Sequence, residues 1–150
     1  MENLKEELFR HCKQFAQDRL DRIQDRIANI QHSLTSETKS TAGDKHETGR
    51  AMLQLEREKA GVQLVEVQKL LEILAKIDIS TTSKVIRLGS LIETSEGHYF
   101  LGVSAGKIII QGNPYFAIAT NTPIGKLLLG KKVGDHFIFN ERQITIKKIM

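Results

Sequence analysis

An α+β fold with segregated halves follows from three observations on this chain of 150 residues. Residues 1–80 carry apolar side chains at helical spacing, and residues 81–150 carry short β-branched and aromatic runs separated by turn residues. The charge changes character at the same place. Residues 1–80 hold 13 Lys+Arg against 14 Asp+Glu, a net of −1, whereas residues 81–150 hold 9 against 4, a net of +5. The spacing predicts an antiparallel helical hairpin, a coiled coil, over residues 1–79 with its tip near 36–46. A small, mainly antiparallel β domain with one short helix is predicted over residues 80–150.

In the first half, Ala16, Leu20, Ile23, Ile27, Ile30 and Leu34 step by four and three residues, which keeps them on one helical stripe. Leu4, Leu8 and Cys12 carry that face back towards the start. A second stripe runs through Ala60, Leu64, Val67, Leu71 and Leu74. Charged residues and glutamines flank both, as in helices that bury one seam and solvate the rest. Between them, residues 35–44 are rich in Ser and Thr and lack an apolar stripe. Arms of about 30 residues at roughly 1.5 Å each give a rod on the order of 45 Å.

In the second half, residues 85–92, 99–103, 107–110, 115–119, 136–139 and 144–149 read as strands. Turn residues at 95–97, 105–106, 112–114 and 140–141 separate them. Residues 123–129 fit a short helix, with Thr122 as N-cap, Pro123 at the first helical position and Gly130 as its stop. Tyr99, Phe100, Tyr115, Phe116, Phe137 and Phe139 are the expected core of this half.

Several function classes fall away. Hydrophobic residues make up 40% and charged residues 27%, the mix of a globular protein. No apolar run approaches the roughly 20 residues of a membrane span. The N-terminus alternates charged with apolar residues and lacks a secretory stretch. One cysteine excludes an internal disulfide framework and a multi-cysteine zinc site. A soluble, cytoplasmic protein is expected, with no membrane partner. The basic second half suits nucleic acid or an acidic protein surface.

The hairpin tip carries Gly43-Asp44-Lys45-His46-Glu47. Asp followed three residues later by Glu is the spacing of a helix N-cap with a reciprocal capping glutamate, where the helix dipole also favours negative charge. The same geometry serves chemistry. Two ionised carboxylates one turn apart are hard oxygen ligands that could share Mg²⁺, although two are too few for an ion that takes six oxygens. Glu37 is either a spare acid or solvated loop. Arg19, Arg22 and Arg26 recur on roughly one helix face and either contact RNA phosphates or pair with Asp18, Asp21 and Asp25.

Two segments give the chain a resemblance to the bacterial Gre transcript-cleavage factors, the GreA/GreB family of elongation factors. Gly43-Asp44-x-x-Glu47 resembles the acidic pair at that family's hairpin tip. Asn121-Thr-Pro-Ile-Gly-Lys-Leu-Leu-Leu-Gly-Lys-Lys-Val-Gly-Asp135 is similar to its C-terminal signature. The order also matches: hairpin, linker near residue 80, β domain. The chain departs from the family pattern at Thr48-Gly-Arg-Ala51, at Thr122 in place of Ser, and at Leu127 in place of a small residue.

The resemblance implies an FKBP-like fold for the β domain and RNA polymerase as partner, with docking through Thr122, Pro123, Ile124 and Gly125. The hairpin would enter the polymerase's secondary channel as part of a monomer. There Asp44 and Glu47 would act as catalytic and metal-binding residues on Mg²⁺ shared with the polymerase, beside the nascent RNA 3′ end. The polymerase, not this chain, would be the enzyme. Two alternatives stay open: a non-cleaving regulator in the same channel, and a coiled-coil interaction adaptor of a different class.

Overall fold

The computed structural model describes the backbone of residues 3–38 and 43–150 and the side chains of residues 3–36 and 47–150. Two long helices are followed by a six-stranded, mostly antiparallel sheet and one short helix, which is the expected α+β class. Contacts divide the chain into two compact units, Ala16–Leu71 and Met1–Phe15 with Glu72–Met150.

Helix α1 spans Leu4–Thr38 and helix α2 spans Gly43–Ala75. Within the unit Ala16–Leu71 their buried residues recur every seven positions, with Ile23 and Ile30 on α1 and Ala60 and Val67 on α2 each at 5% exposure or less. That interval is the signature of a helix pair sharing one seam. Arg26 Nη1 donates to Gln63 Oε1 across the pair at 2.8 Å, and residues 29–33 share a groove with residues 53–56. Low numbers on α1 therefore meet high numbers on α2, and the helices run antiparallel. Each seam isoleucine contributes about 1.5–3 kcal/mol by leaving water.

Helix α1 continues into the Ser/Thr-rich stretch that the sequence assigns to the tip. The hydroxyls of Thr35 and Ser36 donate to the carbonyls of Gln31 and His32 at 3.0 and 3.2 Å, one turn back. They are thus absorbed into the helix instead of competing with it. Helix α2 begins at Gly43, two residues earlier than an N-cap at Asp44 requires, so Asp44 belongs to its first turn.

In the other unit the strands are β1 (Leu91–Thr94), β2 (Gly97–Gly102), β3 (Gly106–Ile110), β4 (Asn113–Ala119), β5 (His136–Phe139) and β6 (Arg142–Ile149). Their order in the sheet is β3-β4-β2-β1-β6-β5, antiparallel throughout except for the parallel pair β2–β4. Side chains alternate between faces with period two. Ile92, Leu101, Phe137, Ile144 and Ile146 form one core with Ile86 and with Leu128 of helix α3 (Pro123–Leu128). Phe100, Leu91, Tyr115 and Ala117 are also buried. Ile77 lies against the backbone at Gly89 and Gly102, where an added Cβ would meet its side chain at 3.0 and 3.3 Å. Of the six aromatic residues expected in the core, Phe100, Tyr115 and Phe137 are buried and Tyr99, Phe116 and Phe139 are half-buried.

The strand expected over residues 85–92 is shorter. Val85 makes an isolated bridge to Lys132, and Ile86 exchanges backbone bonds with Gly130 and Lys131. A turn then intervenes, with Ser90 N–H donating to the Arg87 carbonyl and Gly89 at φ +90°. Pairing in the sheet starts only at Leu91.

Candidate functional site

The carboxylate pair lies at the start of α2. Glu47 is exposed and has no hydrogen-bond or ion-pair partner among the described residues. The side chains of Asp44, His46 and Glu37 lie outside the described residues. Among the described residues no three His, Cys, Asp or Glu side chains come together to hold a metal ion.

The arginines lie on α1. Arg22 and Arg26 are exposed and Arg19 is half-buried. Arg22 and Arg26 line an open groove of about 500 Å³ with Asp25 of α1 and Leu53 and Glu56 of α2. Arg26 bonds to the neutral Gln63, and Asp21 accepts from Gln17 at 2.9 Å. The groove wall thus holds cations beside carboxylates.

The segment expected to dock is built around the start of α3. Thr122 is its N-cap: Oγ1 accepts from Gly125 N–H at 3.1 Å and donates to the Ala119 carbonyl at 2.8 Å. Pro123 follows at the first helical turn, where a missing N–H costs nothing. Gly125 is buried, and a Cβ there would fall 2.2 Å from the Ala119 carbonyl oxygen. Ile124 packs half-buried on the sheet core. The motif therefore has a local folding explanation at Thr122, Ile124 and Gly125. Within α3, Pro123 and Lys126 are the exposed positions.

Two features escape the sequence. Lys5 is 6% exposed, and its Nζ donates to the Thr81 carbonyl at 3.0 Å. Burial lowers its pKa, as does nearby Arg87, against an opposing pull from Asp78. Arg87 in turn donates to Thr81 Oγ1. Asp78 accepts from the Ser80 hydroxyl and from Ser80 N–H, which hold its carboxyl below the usual range. A lysine in a first helical turn carries no mark of burial, so no sequence signal distinguishes it. The second feature is an open groove of about 580 Å³ lined by Val133 and Ile149 together with Lys84 and Lys132. Its residues come from three separate segments that only the sheet topology assembles.

Among the described residues no helix is long and apolar enough to cross a membrane. No protein-family model matches the chain, and no curated protein matches it.

Proposed function

We propose that this chain acts on bacterial RNA polymerase as an elongation factor. In this reading it enters the secondary channel with its helix pair and stimulates Mg²⁺-dependent cleavage of backtracked RNA by the polymerase itself. The observation that supports the reading is the start of α2, where Asp44 and Glu47 stand three residues apart and Glu47 is exposed and unengaged among the described residues. A carboxylate that the fold does not use is available to a partner.

The chemistry is two-metal phosphodiester hydrolysis, with the remaining metal ligands supplied by the polymerase. This chain's share is to bring two carboxylates to that centre, where one also orients or deprotonates the attacking water. The protein alone is inert. The β domain, FKBP-like in this reading, docks on the polymerase near Thr122–Gly125, with Pro123 as its exposed member. Arg19, Arg22 and Arg26 supply at most weak phosphate contacts. The setting is cytoplasmic.

The test adds the purified chain and Mg²⁺ to backtracked elongation complexes carrying 5′-labelled RNA, beside an Asp44→Asn/Glu47→Gln double variant. Shortened transcripts with the wild type and not with the variant support the reading. Polymerase binding without shortening transfers it to a non-cleaving regulator. Absence of polymerase binding leaves the adaptor reading.

A further inference from the structure

Helix α2 has a second apolar line that its seam does not use. Ala60 and Val67 are buried, whereas Met52, Leu55, Val62 and Val65 are 62%, 52%, 61% and 49% exposed. Helical spacing places Leu55, Val62 and Lys69 on one line of the helix, turned away from Ala60 and Val67. Met52, Lys59 and Glu66 flank that line on one side, and Glu58 and Val65 flank it on the other. The four charged residues Glu58, Lys59, Glu66 and Lys69 are all exposed, and none has a hydrogen-bond or ion-pair partner among the described residues.

We propose that this face of α2 is a self-association surface, and that its occupant is the same face of a second copy running antiparallel. The argument is charge complementarity. In a two-fold antiparallel pair each flank meets its own counterpart, so every contact occurs twice. With the axis near Gln63, Lys59 of one copy stands opposite Glu66 of the other, and the second copy returns the contact. On the other flank Glu58 reaches Lys69 of the second copy. Val62 and Val65 of both copies fill the centre, and Leu55 lies along the aliphatic stem of the opposing Lys69. The apolar line and all four charges find matching partners in one arrangement.

The surface is narrow. A handful of half-exposed side chains buries much less than the roughly 1,600 Å² of a standard stable interface, so the pairing is weak, reversible and dependent on concentration. It does not rest on the polymerase reading: a weak pair dissociates on dilution and leaves the helices of each copy free to enter the channel that reading requires.

The test is sedimentation equilibrium of the full chain over about a hundredfold range of concentration, enough to cross the midpoint of a weak association. The mass is expected to rise towards that of two chains and no further. Lys59→Glu sets like charges opposite and is expected to move the midpoint at least about tenfold higher, an effect of about 1.4 kcal/mol. The double exchange Lys59→Glu/Glu66→Lys restores the pair, and Val62→Glu abolishes it. All three positions are exposed, and circular dichroism confirms that each variant keeps its helices. A single-chain mass at every concentration overturns the proposal. So does growth beyond two chains, indifference to Lys59→Glu, or failure of the double exchange to restore association.

Discussion

Gly125→Ala is the sharpest available perturbation of the β-containing unit, because the obstacle it creates is backbone. The added methyl would sit 2.2 Å from the Ala119 carbonyl oxygen and 2.7 Å from Thr122 Oγ1. The Ala119 oxygen cannot retreat freely, since it accepts from Thr122 N–H at 3.3 Å and from the Thr122 hydroxyl at 2.8 Å. Relief requires moving the first turn of α3, which breaks the cap bond from Gly125 N–H to Thr122. Overpacking of this kind costs about 1–3 kcal/mol, and loss of the cap adds about 1 kcal/mol. The two share atoms and are not independent, so about 3 kcal/mol is the expected total. For a chain of this length that lowers Tm by roughly 6–12 °C. Both tyrosines, Tyr99 and Tyr115, lie in this unit, so near-ultraviolet circular dichroism during a thermal melt reports its unfolding. A variant melting within about 2 °C of wild type would refute the reasoning, since a methyl could then fit where the geometry leaves no room.

Other expectations test different links. Cys12 is buried and its thiol pKa is pushed up to about 12 by that burial. Its alkylation at pH 8 should therefore be on the order of a thousandfold slower in the native protein than after unfolding in urea. Lys5 is held below its ordinary pKa of 10.5 in the fold, so the unfolded chain binds its proton more tightly. Its charge destabilises at neutral pH, and that penalty fades as pH rises towards 10.5. Urea titrations should show wild type gaining on Lys5→Met over that alkaline window, and a difference that stays flat with pH would contradict it. Phe100→Ala, at full burial, should cost about 3–5 kcal/mol. Ile109→Ser, on an edge strand and 61% exposed, should stay within about 0.5 kcal/mol by the same titration.

Periodicity made most of the fold legible. The seven-residue recurrence of Ile23 and Ile30, and of Ala60 and Val67, is visible in the sequence itself and defines the seam. The runs at 107–110, 115–119 and 136–139 fall inside or coincide with strands, and Thr122-Pro123 marks the start of α3 through local cap chemistry. The failures are where local rules compete with tertiary ones. Residues 85–92 have strand composition throughout, yet Gly89 takes a positive φ and the turn it permits splits the run. Thr35 and Ser36 look like loop residues, but their hydroxyls bond one turn back and the helix absorbs them. At the site, the sequence brings Asp44 and Glu47 together because both lie on one helical turn. It could not find the burial of Lys5, whose partners lie about 75 residues away at Asp78, Thr81 and Arg87, since sequence spacing carries no information on contacts that only the fold creates.

The segment Thr122–Gly125 shows how far a motif can be carried. Thr122 is held by two hydrogen bonds, Gly125 by a carbonyl that excludes any side chain, and Ile124 by the core, so three of four positions serve folding. A pattern fixed by local geometry identifies a way of starting a helix, and a partner can recognise only what that helix start exposes. If the proposed docking on the polymerase holds, it should therefore depend on exposed neighbours such as Pro123 and Lys126. Lys126→Glu is expected to leave the melt unchanged to within about 0.5 kcal/mol while weakening polymerase binding. Thr122→Ala should weaken binding only as far as its loss of about 1 kcal/mol of cap stability unfolds the site. Binding measured alongside melting separates the two effects. If Lys126→Glu binds the polymerase as wild type does, the resemblance of this segment to a docking signature reflects a shared fold requirement and not a shared partner.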